Sequence, residues 1–574
     1  MTGAGTSRDK AATWRGGVPG VLRAPPFGRL RPSVSETFAG KPHGWIGQAL
    51  LDTPFLSGDE ERRVRSVMDA IVHARIGGDF WGRRPCGRTP GETMVLRPKT
   101  FAGASSMIRT ALAAGEAATV IASMPDRPWS RRFGAVLERK GMRVSLGLIE
   151  PWGLLERARR VAVEGDDAMA FLALALGKPV DCITACDLSG WGLTQDAPSL
   201  SQHGQRSFLQ AAHAVLISGV VYRNPFTGRA ASCEEIVETL ADWRRTLDRN
   251  RRIACCAGMS MWKRGAVAAM LHTGEHAPPF HRRARAAVET AARRTGGVAV
   301  WTSRAPNGLA AASAWRDVPL FQVEDGFLRS VGLGSNLTPP CSIVVDARAP
   351  HYASGQVSDL EVLLAEGEFD AALLARAERL IASIVEAGLT KYNTGGLPLD
   401  LPRDRRLVLT PGQVGDDLSV RLSGAGLYDN LELLARTRAA EPDAVILFKP
   451  HPDVEAGHRP GAIPDAQALR YADRIVRGYS MAHLLGTVDA VHTLTSLTGF
   501  EALLRGREVI VHGQPFYAGW GLTRDLAPLA RRTRRLSLAE LVAGALILYP
   551  HYLDPRSGLP CPPEVLVARL AAAG

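Results

Sequence analysis

Short apolar runs alternate with longer amphipathic stretches along most of the chain. TMVLRP and AATVIAS read as buried strands, and SSMIRTALAAG and RRFGAVLERKG read as helices. MRVSLG, ERARRVAVEG, DAMAFLALALG and KPVDCI continue the alternation, which predicts a parallel sheet with crossover helices. Residues 207–251 read as mainly helical, interrupted by RNPFTGRAAS. A second series opens with RIACCAG at 252–258 and continues with GVAVWTS and PLFQVEDG. Residues 357–388 read as one or two helices joined near Gly367. A third series holds RRLVLTPG, a helix near 425–438, DAVILFKPHP, VDAVHTL and REVIVHG, with the helix LSLAELVAGALI near the end. The last two series predict an α/β architecture of paired Rossmann-like units, with ligand at the carboxyl ends of their strands. Residues 1–45, rich in Gly, Pro, Arg and Ser, show no sustained period and are expected to form a mostly disordered basic arm.

Part of this pattern occurs twice. EGDDAMAFLALALGKPVDCITACDLSGWGLTQD (164–196) lies on TLTSLTGFEALLRGREVIVHGQPFYAGWGLTRD (493–525) at an offset of 329. VLRPKTFAGASS (95–106) lies on VLTPGQVGDDLS (408–419), and VIASMPDRP (120–128) on VILFKPHPD (445–453). YRNPFTGRAASCEE (222–235) lies on YLDPRSGLPCPPE (552–564). Four segments in one order, with slowly drifting offsets, predict a duplicated module whose first copy keeps only the second half. The expected organisation is an arm (1–45), a partial module (46–245), a first Rossmann-like half (246–404) and a second half (405–574).

Composition adds a partner class. The chain has 574 residues and a net charge of +12, with Arg far outnumbering Lys, which suits an anionic partner or a codon bias toward Arg. Eight scattered cysteines form no CxxC pair and no zinc spacing, so a reducing compartment and no metal are expected. No apolar run reaches a membrane span, which makes a cytoplasmic protein the default expectation. No nucleic-acid-binding motif is present.

Three stretches carry candidate chemistry. FKPHPD puts Lys449, His451 and Asp453 just after an apolar strand, where the ammonium and imidazole could donate to phosphate or the segment form a proline-fixed surface turn. In TLTSLTGFEALLRG, Thr495, Ser496 and Thr498 precede a helix. Thr498 is the expected cap, with Glu501 closing a capping box, which leaves Thr495 and Ser496 for phosphate. In VEDGFLRSVGLGS, Glu324 and Asp325 stand at a strand end with Gly326, near Arg329, and two adjacent carboxylates there are costly unless solvated or employed. GQPFYAGWGLT could close over a base or sugar ring.

EDGFLRSVGLGS, TKYN, TPGQVGDD, KPHPD, TLTSLTGFEALLRG and GQPFYAGWGLTRD together resemble the bacterial capsular polysaccharide biosynthesis proteins that are retaining β-Kdo glycosyltransferases. The resemblance covers roughly residues 250–565 and, more weakly, 95–240. It implies a GT-B-like fold, a CMP-Kdo donor with no further cofactor, and transfer onto the Kdo linker of a phosphatidylglycerol-type lipid. An anionic glycolipid acceptor, a peripheral place at the inner membrane and contact with capsule synthesis or export machinery follow from it. By the same resemblance Glu324 and Asp325 supply the catalytic carboxylate. His451, Thr495 and Ser496, with Lys449 and Thr498, hold the nucleotide phosphate, and Gly326, Arg329, Asn393, Gln413, Gly519 and Trp520 shape the cleft. In the first copy Asp126 stands for His451, Met124 for Lys449, and Asp166 and Asp167 for Thr495 and Ser496, so that copy is expected to be degenerate. A transferase for another nucleotide sugar and a non-catalytic export scaffold are the alternatives.

Overall fold

The computed structural model describes residues 21–27, 35–37, 45–52, 55–83, 93–113, 120–218, 220–330, 337–391, 393, 401 and 404–573. The chain divides into two units, Met1–Arg245 and Thr246–Gly574.

The second unit contains two six-stranded sheets. Its first sheet runs Phe280–His281, Ile253–Ala257, Gly297–Trp301, Leu320–Asp325, Ser342–Asp346, His551–Tyr552. The first four strands are parallel, as the alternating pattern predicts, and Ser342–Asp346 runs antiparallel to both of its neighbours, Leu320–Asp325 and His551–Tyr552. The chain reverses between Asp325 and Ser342, with no crossover helix among the described residues there, and the parallel series stops. The second sheet runs Arg474–Ile475, Val445–Lys449, Leu407–Pro411, Ala490–Thr493, Glu508–Val511, Arg524–Asp525, and all its pairs are parallel. Its central strands are buried on both faces, hence their unbroken Val/Ile/Leu runs. The segment 357–388 forms two helices, Asp359–Glu366 and Ala371–Glu386. The second half was expected to extend to residue 574. Instead the chain leaves it after Arg524–Asp525, passes through a π-helix at Ala543–Leu548, and adds His551–Tyr552 to the first sheet.

The first unit has one six-stranded parallel sheet, Arg143–Leu146, Val120–Met124, Thr93–Arg97, Ala158–Glu164, Val180–Thr184, Gln195–Asp196. Its strand order matches that of the second unit's second sheet, strand for strand along the sequence. Local bonds recur as well. Tyr222 Oη donates to the Leu216 carbonyl at 2.8 Å, and Tyr552 Oη to the Leu546 carbonyl at 2.6 Å, each beside a π-helix. Within the arm expected to be disordered, Val21, Leu22 and Phe27 are buried, and Phe27 meets Trp243 edge-on at 5.2 Å. Ser35–Thr37 pairs antiparallel with Val220–Arg223. These contacts correct the expectation for those residues, because apolar side chains in the arm find a packed surface. Residues 1–20 of the arm lie outside the described residues.

Candidate active site

The strand Leu320–Asp325 ends on the two carboxylates and continues into Gly326. The Gly326 N–H donates to the Ser342 carbonyl at 3.0 Å, and a Cβ on residue 326 would lie 2.2 Å from Ser342 Oγ. Only glycine lets the chain turn this closely against the neighbouring strand. Successive strand residues face opposite sides, so the two carboxylates meet different neighbours. Asp325 is ion-paired with Lys263 Nζ at 3.3 Å and with Arg329 Nε at 3.0 Å. Arg329 is buried, and its other nitrogens donate to Ser330 Oγ at 2.8 Å and the Thr338 carbonyl at 2.9 Å. Lys263 Nζ lies 3.3 Å from the centroid of the Trp301 ring. Burial pushes the Glu324 carboxyl up to about 7, and the charge of Asp325 adds to the effect. Tyr352 Oη donates to Glu324 at 3.3 Å.

The second sheet offers the polar groups that the sequence singles out. His451 follows the strand Val445–Lys449 and caps a short turn of helix. The Asp453 N–H donates to His451 Nδ1 at 3.1 Å, so the neutral imidazole carries its proton on Nε2. Burial lowers the imidazole's pKa, which favours that neutral form. Lys449 Nζ donates to the Tyr479 carbonyl at 2.9 Å and ties down the following segment. Gln413 grips Thr495 at two points: its Nε2 donates to Thr495 Oγ1 at 2.8 Å, and its Oε1 accepts from the Thr495 N–H at 2.9 Å. Ser419 Oγ lies 3.3 Å from the same hydroxyl. Ser496, not Thr498, caps the helix Leu497–Leu503. Its hydroxyl oxygen accepts from the Thr498 N–H at 3.2 Å and its proton goes to Thr498 Oγ1 at 3.1 Å. The expected capping box is absent because Glu501 is turned away, accepting the Lys391 N–H at 2.6 Å.

Lys391 joins the two sets. Its charge acts on Glu324 from the first sheet and on His451 and Glu501 from the second. Asp417 likewise acts on both Tyr352 and His451. The carboxylates and the histidine therefore share one electrostatic environment between the two sheets. Asn393 holds the Lys391 segment in place: its Oδ1 accepts from the Thr390 N–H at 2.8 Å and its Nδ2 donates to the Ser330 carbonyl at 3.1 Å. Its φ of 47° is a left-handed conformation that asparagine tolerates better than most residues. Phe327 stacks on Phe516 at 4.4 Å, with His351 edge-on at 5.0 Å.

Lys263, Lys391 and Tyr352 were not singled out from the sequence. TKYN contained Lys391, but Asn393 drew the attention; MWKRG and PHYASG carried no pattern that marks a site. GQPFYAGWGLT, expected to close over a ring, makes internal contacts in this structure. Trp520 is buried, and its Nε1 donates to the Phe516 carbonyl at 2.8 Å. The Gly519 N–H donates to Asp525 Oδ2 at 3.0 Å and Thr523 Oγ1 to Asp525 Oδ1 at 2.6 Å. The first unit repeats this brace, with Gly190 N–H donating to Asp196 at 2.7 Å and Thr194 Oγ1 at 2.6 Å. GWGLT-x-D is thus a backbone brace common to both units.

The first unit's acidic substitutions are engaged internally. Asp126 is bound by Arg131 at 2.6 and 2.9 Å. Asp167 is paired with Arg97 at 3.1 Å and caps the helix Ala168–Ala175. Asp166 accepts the Asp187 N–H at 2.8 Å. Glu164 accepts the Lys99 and Thr100 N–H groups at 2.7 and 2.9 Å.

Residues 297–400 and 397–552 match the family described as "capsule polysaccharide biosynthesis protein". The capsule polysaccharide modification protein LipA of Neisseria meningitidis serogroup A is 33% identical over 575 residues, covering 94% of this chain and 80% of that protein. The serogroup B LipA is 37% identical with the same coverage. Among solved structures, Thermosulfurimonas dismutans KpsC, described as a β-Kdo 2,4 transferase, is 32% identical, covers 55% of this chain and 98% of its own, and superposes with a TM-score of 0.49.

Proposed function

Because this chain belongs to the capsule polysaccharide biosynthesis protein family, we propose that its second unit is a retaining β-Kdo transferase. It takes Kdo from CMP-Kdo and extends the Kdo linker on a phosphatidylglycerol-type lipid in capsule assembly. The observation that carries this reading is the pair Glu324 and Asp325, adjacent in sequence and held in different surroundings, with the Lys391 charge acting on both Glu324 and the second sheet's His451. Burial raises the first carboxyl to about 7, and the second lies between Lys263 and Arg329. Two carboxylates in such different surroundings suit two different steps of one reaction.

Asp325 attacks the anomeric carbon, and the bond to the CMP phosphate oxygen breaks with its electron pair leaving on the phosphate. The His451 Nε2–H and the hydroxyls of Thr495 and Ser496 stabilise that developing charge. Gln413 holds Thr495 ready for this. In the second displacement Glu324, as carboxylate, takes the proton of the acceptor hydroxyl while its oxygen bonds to the anomeric carbon and Asp325 leaves. Inversion at each step gives net retention. The first unit is a partial, degenerate copy of the module, with its own arginines bound to the carboxylates that replace the donor-binding residues.

The test incubates the full chain with CMP-Kdo and a Kdo-bearing lipid acceptor, following CMP release and the new linkage by NMR. Release of UDP from a UDP-sugar, with none of CMP from CMP-Kdo, would replace this donor with another. Failure of every nucleotide sugar with a folded protein would leave the scaffold reading.

A further inference from the structure

The helices Ala284–Arg293 and Leu309–Trp315 carry a surface that sugar transfer leaves unexplained. Between residues 282 and 316 lie seven arginines and a single carboxylate, Glu289. All seven arginines are exposed. Three of them gather in space as well as in sequence. Arg285 Nε donates to Glu289 at 2.7 Å, and the charges of Arg316 and Arg293 also hold the Glu289 carboxyl below its ordinary range. One carboxylate is therefore ringed by three guanidinium groups from the two helices and the turn that follows. Trp315 stands beside them, 82% exposed, with the Arg316 guanidinium 5.5 Å from the centroid of its ring.

Other basic stretches differ. In the run 531–534, Arg531 and Arg532 are bound to Glu361 and Arg534 to Glu540. Their charge is spent inside the protein. On the two helices it faces outward, next to the largest apolar side chain a protein can expose. An indole prefers the headgroup layer of a bilayer, and arginines beside it meet lipid phosphates. A surface with both features has a partner of matching chemistry: fixed negative charge over an apolar layer.

We propose that this face docks on an anionic phospholipid bilayer, with Trp315 inserted among the headgroups and Arg285, Arg293 and Arg316 on the lipid phosphates. The proposal takes from the transferase reading only the expectation of a lipid-borne acceptor. Its test is run without donor or acceptor, so either can fail alone.

Full-length protein is sedimented with vesicles of phosphatidylcholine alone or with about 30 mol% phosphatidylglycerol, at low and high salt. The wild type should bind the anionic vesicles and release them as salt rises. Trp315→Ala should weaken binding by about tenfold, and the triple change of Arg285, Arg293 and Arg316 to Glu by about 100-fold or more. Thermal melts confirm that both variants are folded. CMP release with a water-soluble Kdo acceptor should be unchanged in each. Equal binding to phosphatidylcholine, or anionic binding that both variants keep in full, would overturn the proposal. So would binding of duplex DNA that the triple variant loses while it keeps its vesicle binding, since that would assign the surface to nucleic acid.

Discussion

Burial gives Glu324 a titration near neutrality, and that has a kinetic sign. A base must be deprotonated, so the acceptor half-reaction should speed up as pH rises through about 7 and level off above it. Glu324→Gln should lower transfer by about 100-fold or more and flatten this rise, whereas Asp325→Asn should lose donor cleavage itself by a similar factor while CMP still binds. Mass spectrometry of Glu324→Gln with CMP-Kdo should show a sugar adduct on Asp325, and an adduct on residue 324 in Asp325→Asn would reverse the roles. His451→Ala should weaken CMP binding or slow transfer by about 10- to 1000-fold. Lys391→Ala should do the same to transfer and also shift the pH profile upward, because the lysine's charge lowers the Glu324 pKa. The carboxylates and His451 were legible in the sequence because they stand at ends of clear apolar strands. Lys263 and Lys391 were not, since each reaches the site from a segment distant in sequence from its partners and only the fold brings them close.

At the scale of elements, strand positions followed from apolar runs, while the ends of elements depended on contacts that a sequence window does not contain. Ser496 rather than Thr498 caps its helix because Glu501, which would have closed a box with Thr498, is drawn off by the backbone of Lys391. The antiparallel strand Ser342–Asp346 was hidden for a similar reason, as its pairing depends on a reversal after Gly326. GWGLT-x-D was read as a ligand feature and is a brace. Asp525→Ala should therefore strip two partners from the brace and destabilise the second unit by about 1–3 kcal/mol, seen as a lower Tm. Asp196→Ala should do the same to the first unit. CMP affinity measured below the Tm should change little in either variant, and a large loss in Asp525→Ala alone would return the motif to the binding site.

For the whole molecule, the proposed single active unit predicts a count. Calorimetric titration should give about one CMP per chain, and Asp126→Ala should leave both affinity and rate unchanged, whereas two independent CMP sites would contradict the degenerate reading of the first unit. The repeat itself was legible because both copies keep the residues that build strands and braces, and the acidic replacements at matched positions, on which the degenerate reading rests, need no structure to be noticed. One feature of the second unit constrains how it can move. The backbone passes from the first sheet's half to the second before Leu407–Pro411, and returns before His551–Tyr552. Two covalent crossings act like the two knuckles of a door hinge. Any relative motion of the halves must pivot about the line joining those crossings, because twisting or sliding past one another would strain both connections. An opening of the proposed cleft is thereby confined to a single rotational coordinate, which a disulfide engineered between the halves should lock.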